Sequence, residues 1–153
     1  MMTQDNNRFL CFTLGADDFA MPLLSVREVI GFPELTPIPQ APAYFLGMMN
    51  LRGQVISVVD LRIKLGVKGT KGAETSVIII DLGEHFLGLV VDSVNSVISP
   101  TKDEISPPPD LSRTPASEFV TSVYRKENRL VLILDIIRVL SKEDKSFAHK
   151  QAA

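Results

Sequence analysis

The chain has 153 residues, of which 45% are hydrophobic and 22% charged, a composition that predicts a globular protein and excludes a disordered tail, a collagen and a coiled-coil rod. Its 16 basic and 18 acidic residues give a net charge of −2, so no excess of positive charge is available to attract a nucleic-acid backbone. The single Cys11 indicates a reducing compartment, and the polar start Met1–Arg8, with no apolar run longer than Leu130–Leu134, predicts a cytoplasmic protein without membrane insertion.

The first predicted element is a β-hairpin. Residues Arg8–Leu14 alternate between two faces, with Cys11 on one face and Phe12 on the other, as in a β-strand. The turn-forming residues Gly15–Asp18 follow, and Phe19–Pro22 is predicted to return as the second strand. A second β-hairpin is predicted further along the chain, where the apolar run Ser76–Leu82, a turn at 83–85 and the run Phe86–Val91 follow one another.

The second hairpin and the residues after it repeat the first part of the chain. The matching segments are Leu14-Gly15 with Leu82-Gly83, Ser25–Ile30 with Ser93–Ile98 and, after a gap, Val55–Asp60 with Leu130–Asp135. We predict two copies of one β-rich unit, at about residues 8–65 and 75–140. Because units of roughly 60 residues are marginal alone, the copies are expected to share apolar surface.

The connections between these strands carry proline and glycine. The proline-bearing segments Phe32–Pro42 and Ser99–Pro115 occupy corresponding places in the two copies and are predicted to cross the outside of each unit in extended form. The stretch Gly66–Gly72 is predicted to be a flexible tether between the copies.

Two short helical segments are predicted. Leu61–Leu65 is the first, and the second runs from Asp135 to about Lys145 with an apolar face. The residues of that face are Ile136, Ile137, Val139 and Leu140. Residues 143–153 are expected to form a flexible tail.

The residues that could support catalysis are few. His85 at a hairpin tip and His149 in the tail are expected to be solvated surface residues, and Cys11 is expected to be a small buried hydrophobic side chain. Asp60 and Asp135 end equivalent strands and are predicted to cap the helical turns that follow. We therefore predict no enzyme activity, no cofactor and no metal site.

The segment Asn50-Leu51-Arg52-Gly53 is the strongest candidate for a binding site. It lies between two apolar strands, where Gly53 can adopt a positive φ and Asn50 can bond to nearby backbone. Arg52 is then held at a rigid tip, where a guanidinium can become a binding hot spot. An internal ion pair between Arg52 and Glu28 or Asp60 is the alternative, and the two roles are compatible.

Several motifs resemble, in order along the chain, the CheW-like family of bacterial chemotaxis coupling proteins. They are Phe9-x-x-Phe-x-Leu-Gly, Val26-x-Glu28-Val29-Ile30, Gly47-x-x-Asn50-Leu51-Arg52-Gly53-x-Val-Ile, Val59-Asp60-Leu61-Arg62, Gly88-Leu89-Val90-Val91-Asp92-x-Val94 and Ile133-Leu134-Asp135. The resemblance covers about Phe9–Ser141. It implies a mostly β fold of two pseudo-symmetric SH3-like barrels of five strands each, packed on a shared core, with a short C-terminal helix. The domain would span residues 8–142, with subdomains at about 8–66 and 75–142.

The resemblance also implies a function and a set of contact residues. Members of the family are adaptors that join the regulatory domain of the histidine kinase CheA to the cytoplasmic tips of methyl-accepting chemoreceptors. Carried over by motif position, the residues expected to bind partners are Arg52, Glu28, Val26, Asn50 and Gly53 in the first half and Val94 and Val97 in the second. The second-half valines are expected in the groove between the barrels.

Other functions are left as alternatives. A CheW-like adaptor can also serve a non-flagellar chemosensory pathway that controls pilus motility or gene expression. A small β-barrel can bind nucleic acid, but such modules display interleaved aromatic and basic side chains, which this acidic chain lacks. An enzyme would need the acid and base pairs that are missing here.

Overall fold

The computed structural model describes residues 7–67, 74–108 and 118–152, and in these ranges the chain is mostly β. The strands are β1 Phe9–Leu14, β2 Asp17–Pro22, β3 Val26–Gly31, β4 Phe45–Leu51, β5 Gln54–Asp60, β6 Ser76–Asp81, β7 Phe86–Val91, β8 Ser93–Ile98, β9 Ile105–Ser106, β10 Val120–Lys126 and β11 Arg129–Leu134. The helices are α1 Leu61–Leu65, α2 Ile136–Val139 and α3 Lys142–Ala152. Both predicted hairpins are confirmed, as β1 with β2 and β6 with β7.

The strands form two sheets of matching topology. Sheet A has the order β8-β1-β2-β11-β10-β9, and sheet B has the order β3-β6-β7-β5-β4. The repeat relates β1 to β6, β2 to β7, β3 to β8, β4 to β10 and β5 to β11. When every strand is replaced by its counterpart in the other half, the order of sheet B becomes the order of the first five strands of sheet A. This pseudo-symmetry agrees with the predicted duplication. Sheet A has one more strand than the predicted five, the two-residue β9.

Each sheet combines strands from both halves of the sequence. The hairpin of β1 and β2 lies in sheet A with strands of the second half, while the hairpin of β6 and β7 lies in sheet B with strands of the first. The two sheets are therefore not the consecutive subdomains 8–66 and 75–142 expected from the repeat. The cause is edge pairing, because β1 pairs with β8 and β3 pairs with β6.

Alternate side chains of one strand enter different hydrophobic cores. In β6, Ile78 and Ile80 belong to a core shared by the two sheets, while Val77 and Ile79 belong to a smaller core enclosed by sheet B. Cys11 belongs to the corresponding small core of sheet A. Strands buried on both faces have continuous apolar sequence, which explains the run in β6. The predicted shared core is confirmed.

The two predicted aspartate caps are confirmed. The side chain of Asp60 accepts a hydrogen bond from the Arg62 amide at the start of α1, and Asp135 accepts from the Arg138 amide at the start of α2. The helix predicted over residues 135–145 is interrupted, because α2 ends at Val139 and a new helix begins at Lys142. Ile137 is exposed, since only one side of the four-residue α2 can face the core.

The expectation of a flexible tail is wrong for the described residues of the C-terminal segment. Residues 142–152 form α3, which packs on β5. The ring of Phe147 lies 4.7 Å from that of Phe45, and Ala148 is buried in the shared core. These two side chains explain the docking, because they supply apolar surface that the mainly polar helix would otherwise lack.

The first proline-bearing crossover lies along the outside of sheet B, where Thr36 forms an isolated bridge with Met48 of β4. In the second crossover, β9 covers the corresponding edge of sheet A by pairing with β10. Part of that crossover (109–117) and most of the predicted tether (68–73) lie outside the described residues. None of the helices in the described ranges has the length and apolar character needed to span a bilayer.

Candidate functional site

The Arg52 turn is a two-residue hairpin loop between β4 and β5. Leu51 pairs with Gln54, so Arg52 and Gly53 form the loop, and both have positive φ values, of 51° and 89°. Such loops match the twist of the flanking strands and hold the tip rigidly. The Asn50 side chain accepts a hydrogen bond from the Gly53 amide at 3.0 Å, as predicted. The left-handed conformation of Arg52 itself was not predicted.

Arg52 and Glu28 join opposite edges of sheet B. The Arg52 guanidinium forms an ion pair with Glu28, although β3 and β4 are the two outermost strands in the sheet order. The sheet is therefore curved until its edges meet, as in a small barrel. Of the two predicted acceptors for Arg52, Glu28 is confirmed and Asp60 is wrong, because Asp60 pairs with Arg62.

The Arg52 side chain nevertheless remains available to a partner. It is 69% exposed, and Glu28 is 29% exposed. A guanidinium has five N–H donors, and one ion pair with a carboxylate leaves others facing solvent. The pair therefore fixes the position of the charge without enclosing it.

The predicted valines lie in both sheets. Val26 on β3 and Val94 on β8 are half-buried and pack against the shared core. Val97, also on β8, is exposed at 47%. Arg52, Glu28, Asn50, Gly53 and Val26 thus belong to sheet B, while Val94 and Val97 belong to sheet A.

Exposed apolar side chains occupy equivalent places in the two sheets. Val29 on β3 corresponds to Val97 on β8, and Val55 on β5 corresponds to Leu130 on β11; all four are exposed. Single exposed apolar side chains are common on protein surfaces, and it is the recurrence of these four at matching positions in both halves that makes them candidates for partner contacts. Val29, Val55 and Leu130 were not among the predicted contact residues, although their positions in the repeat could have identified them.

A buried ion cluster lies at the end of β5, where Asp60 precedes α1. Arg62 donates two hydrogen bonds to Asp60, each 2.9 Å long, and one of 2.8 Å to Asp92. Asp92 also accepts a hydrogen bond from the Gly15 amide at 2.7 Å. The hydrogen bonds to Asp60 are the largest contribution to the raised pKa of Arg62. The cluster was not predicted, and the spacing Asp60-x-Arg62 is its only local sign.

The remaining reactive side chains differ in their surroundings. Cys11 is fully buried, as predicted, and burial raises the pKa of its thiol. The expectation of two solvated histidines is wrong for His85, whose ring is half-buried and lies against that of His149. The reason is the docking of α3, which places His149 over the β6–β7 turn.

The arrangement is suited to binding other proteins, because its prominent features are a rigid arginine turn and exposed apolar positions on both sheets. The family model described as "CheW-like domain" matches residues 8–144. The chain therefore belongs to the CheW-like domain family. Relatives named chemotaxis protein CheW and a solved scaffolding protein of the same family, described below, give its function as that of a coupling adaptor in chemotaxis.

Individual relatives match over most of the chain. The chemotaxis protein CheW of Klebsiella aerogenes is 36% identical over 137 residues, which cover 89% of this chain and 82% of the relative. The chemotaxis protein CheW of Rhizobium meliloti is 31% identical over 148 residues, 96% of each chain. The crystal structure of the scaffolding protein TtCheW from Thermoanaerobacter tengcongensis has a TM-score of 0.79 at 26% identity, covering 91% of this chain and 90% of that one.

Proposed function

We propose that this chain couples the cytoplasmic tips of methyl-accepting chemoreceptors to the regulatory domain of the histidine kinase CheA, in the cytoplasm and without catalysis of its own. Family membership and the scaffold relative support an adaptor role. The observation that carries the proposal is the Arg52 turn, where an exposed guanidinium is held in place by Glu28.

The Arg52 turn has the properties of a binding hot spot before any partner is present. The positive φ values of Arg52 and Gly53 fix the backbone, and the ion pair with Glu28 restricts the side chain. A preordered guanidinium loses less conformational entropy when it binds a carboxylate or an aromatic ring. Val29 and Val55, from β3 and β5, provide exposed apolar surface on the same sheet.

The second sheet offers a different surface on the same small body. Val97 and Leu130 repeat the apolar positions of sheet B, but Glu127 occupies the loop position equivalent to Arg52, with a similar φ of 56°. The apolar positions are thus shared between the halves, while the loop residue differs, because the acidic Glu127 follows the exposed cations Arg125 and Lys126 whereas the neighbours of Arg52 are uncharged. Two related surfaces with different loop residues allow one adaptor to hold two different partners, as coupling requires.

The test is to replace Arg52 by alanine and measure binding. Arg52→Ala is expected to weaken binding to the CheA regulatory domain or to a chemoreceptor cytoplasmic fragment by tenfold or more, about 1.4 kcal/mol. Isothermal calorimetry with each partner measures this directly. Arg138→Ala, which removes an exposed arginine from α2, is the matched control and should leave both affinities unchanged.

Thermal unfolding separates a binding role from an internal one. Because Arg52 is largely exposed, its ion pair should contribute little to stability, and Arg52→Ala should unfold within a few degrees of the wild type. Wild-type affinity of the variant for both partners would refute the proposed interface. A large loss of stability would instead show that the pair with Glu28 serves mainly to hold the sheet.

A further inference from the structure

Helix α3 brings the two histidines of the chain together. His149 lies in its last turn, and the ring centroids of His149 and His85 are 5.1 Å apart. The Nδ1 atom of His149 is 3.3 Å from the carboxylate of Glu84, in the same turn as His85. The contact joins the C-terminal end of α3 to the β6–β7 hairpin of sheet B.

The surroundings of His85 favour the neutral form of its imidazole ring over the charged form. Both of its ring nitrogens are buried, and neither has a hydrogen-bond partner among the described residues. An imidazolium would place a charge and two N–H donors at this position. Burying such a charge without an acceptor is unfavourable. Burial, followed by the nearby His149, lowers the pKa of His85.

The surrounding groups offer little compensation for a charge on His85. Its own turn contributes Glu84, and α3 contributes His149, which would carry a like charge in acid. A surface hollow lies beside His85, and Asp81 is one of the residues that line it. The Asp81 carboxylate already accepts a hydrogen bond from the Gly83 amide at 2.7 Å. The part of β5 that lines this hollow contributes Gln54, which is uncharged.

We propose that the contact between His85 and His149 is a proton-sensitive latch, which holds the C-terminal half of α3 on sheet B at neutral pH and releases it on acidification. Two effects of protonation compete. A charged His149 would pair better with Glu84, but both side chains are largely exposed, so this gain is small. A charged His85 would be buried without an acceptor and beside a second cation, and this larger cost decides the outcome.

The direction of the pH dependence follows from the preference for neutral His85. Because the folded state binds the proton less readily than the unfolded state, the contact stabilises α3 fully above the ordinary histidine range. That stabilisation is lost as the pH falls through the lower pKa of folded His85. The other anchors of α3, Phe147 and the ionised Asp144, do not titrate in this window, so release should be confined to the end of the helix.

Amide hydrogen exchange of the full chain tests the latch at about pH 7.5 and about pH 5.5. After correction for intrinsic exchange, the protection of amides 147–151 is expected to fall severalfold at the lower pH, and by about tenfold at most, because one proton on one histidine contributes no more than a factor of ten per pH unit below the ordinary pKa. The amides of β6 and β7 serve as the internal reference and should keep their protection. Since the chain has only two histidine residues, no other imidazole titrates between these values.

Three variants complete the test. His85→Phe keeps a ring against His149 but cannot be protonated, so the end of α3 should stay protected at both pH values. His149→Phe removes the second cation and should show a smaller pH effect than the wild type. Asp144→Asn, which weakens the other end of α3, should reduce protection by the same factor at both pH values.

Equal protection of wild-type α3 at both pH values would overturn the proposal. So would a His85→Phe variant that loosens in acid as the wild type does. If His85→Phe does not fold, His85→Leu, which also cannot be protonated, takes its place, and loosening of that variant in acid by the wild-type factor would overturn the proposal.

Discussion

At the scale of single residues, Asp144 anchors the beginning of α3. Its carboxylate, which is 2% exposed, accepts hydrogen bonds from the Tyr44 hydroxyl at 2.6 Å and the Ser141 amide at 3.1 Å, and it pairs with Lys64 at 2.7 Å. Burial opposes ionisation of this carboxyl. The hydrogen bonds from Lys64, Tyr44 and Ser141 outweigh that effect and hold the pKa of Asp144 below its ordinary value.

Replacing Asp144 by asparagine is expected to lower the free energy of unfolding by about 1 to 3 kcal/mol at neutral pH, since Lys64 and Tyr44 lose a charged acceptor. Because the pKa of folded Asp144 is depressed, this stabilisation is present above the ordinary aspartate range and is lost as the pH falls through the lower folded value. The difference between variant and wild type should therefore shrink below about pH 4. Urea unfolding of the variant and the wild type, at neutral pH and below about pH 4, measures this difference in the free energy of unfolding.

The matched control for this variant is Asp103→Asn, which removes an exposed carboxylate and should leave stability within about 0.5 kcal/mol of the wild type. If Asp144→Asn loses as much free energy of unfolding in acid as at neutral pH, the stabilisation does not come from the ionised carboxylate of Asp144.

Local sequence was sufficient for some residues and not for others. The caps Asp60 and Asp135 could be predicted because an N-cap depends only on the next few residues. Arg62, His85 and Asp144 could not, because each acquires partners from distant parts of the chain. The pairing of Arg52 with Glu28 was one of two predicted options, and the closure of sheet B selected it.

At the scale of elements, Gly47 allows the first crossover to cover the edge of β4. Thr36 and Met48 exchange two backbone hydrogen bonds of 2.8 Å, directly beside Gly47. A Cβ atom at position 47 would lie 2.6 Å from the Thr36 carbonyl oxygen, and φ at Gly47 is 155°. An uncovered edge strand invites pairing with other chains, so this close approach protects the sheet.

Gly47→Ala is therefore expected to lower the free energy of unfolding by about 1 to 3 kcal/mol, because the crossover must move away from β4. Gly31→Ala is the matched control, since a methyl group at position 31 would extend into open space, with no contact within 4 Å. Thermal unfolding of both variants measures the difference. Equal melting temperatures would show that the crossover can shift without cost.

The hairpins and α1 were predicted from sequence, but the exchange of hairpins between the sheets was not. Hydrophobic alternation indicates which faces of a strand are buried, and it does not identify the neighbouring strand. Two similar copies make this ambiguity worse, because β1 can pair with the third strand of either copy. In the structure it pairs with β8, the copy of β3. The docking of α3 was missed because its apolar contact rests on few side chains, chiefly Phe147 and Ala148.

At the scale of the whole molecule, the Arg62 cluster links the two sheets. Asp60 ends β5 of sheet B and pairs with Arg62 in α1, while Asp92, which also pairs with Arg62, accepts a hydrogen bond from the Gly15 amide in the β1–β2 turn of sheet A. Arg62→Leu should lower the free energy of unfolding by about 3 to 5 kcal/mol, because two carboxylates are left in a buried site without their cation. Arg138→Leu, at an exposed position of α2, is the control and should have little effect in the same urea titration. A small effect of Arg62→Leu would show that water or neighbouring groups replace the guanidinium.

The exchanged hairpins and the shared core predict that the two sheets unfold together. Sheet A cannot lose β1 and β2 without exposing core residues such as Phe12 and Phe19, which pack in the same cluster as Ile78 and Leu89 of sheet B. We expect a single urea transition, with the same midpoint for amides of β4 and β5 as for those of β10 and β11. Hydrogen exchange across the transition measures both sets. Two separated midpoints would mean that each sheet is stable alone, and that the shared core contributes less than its burial indicates.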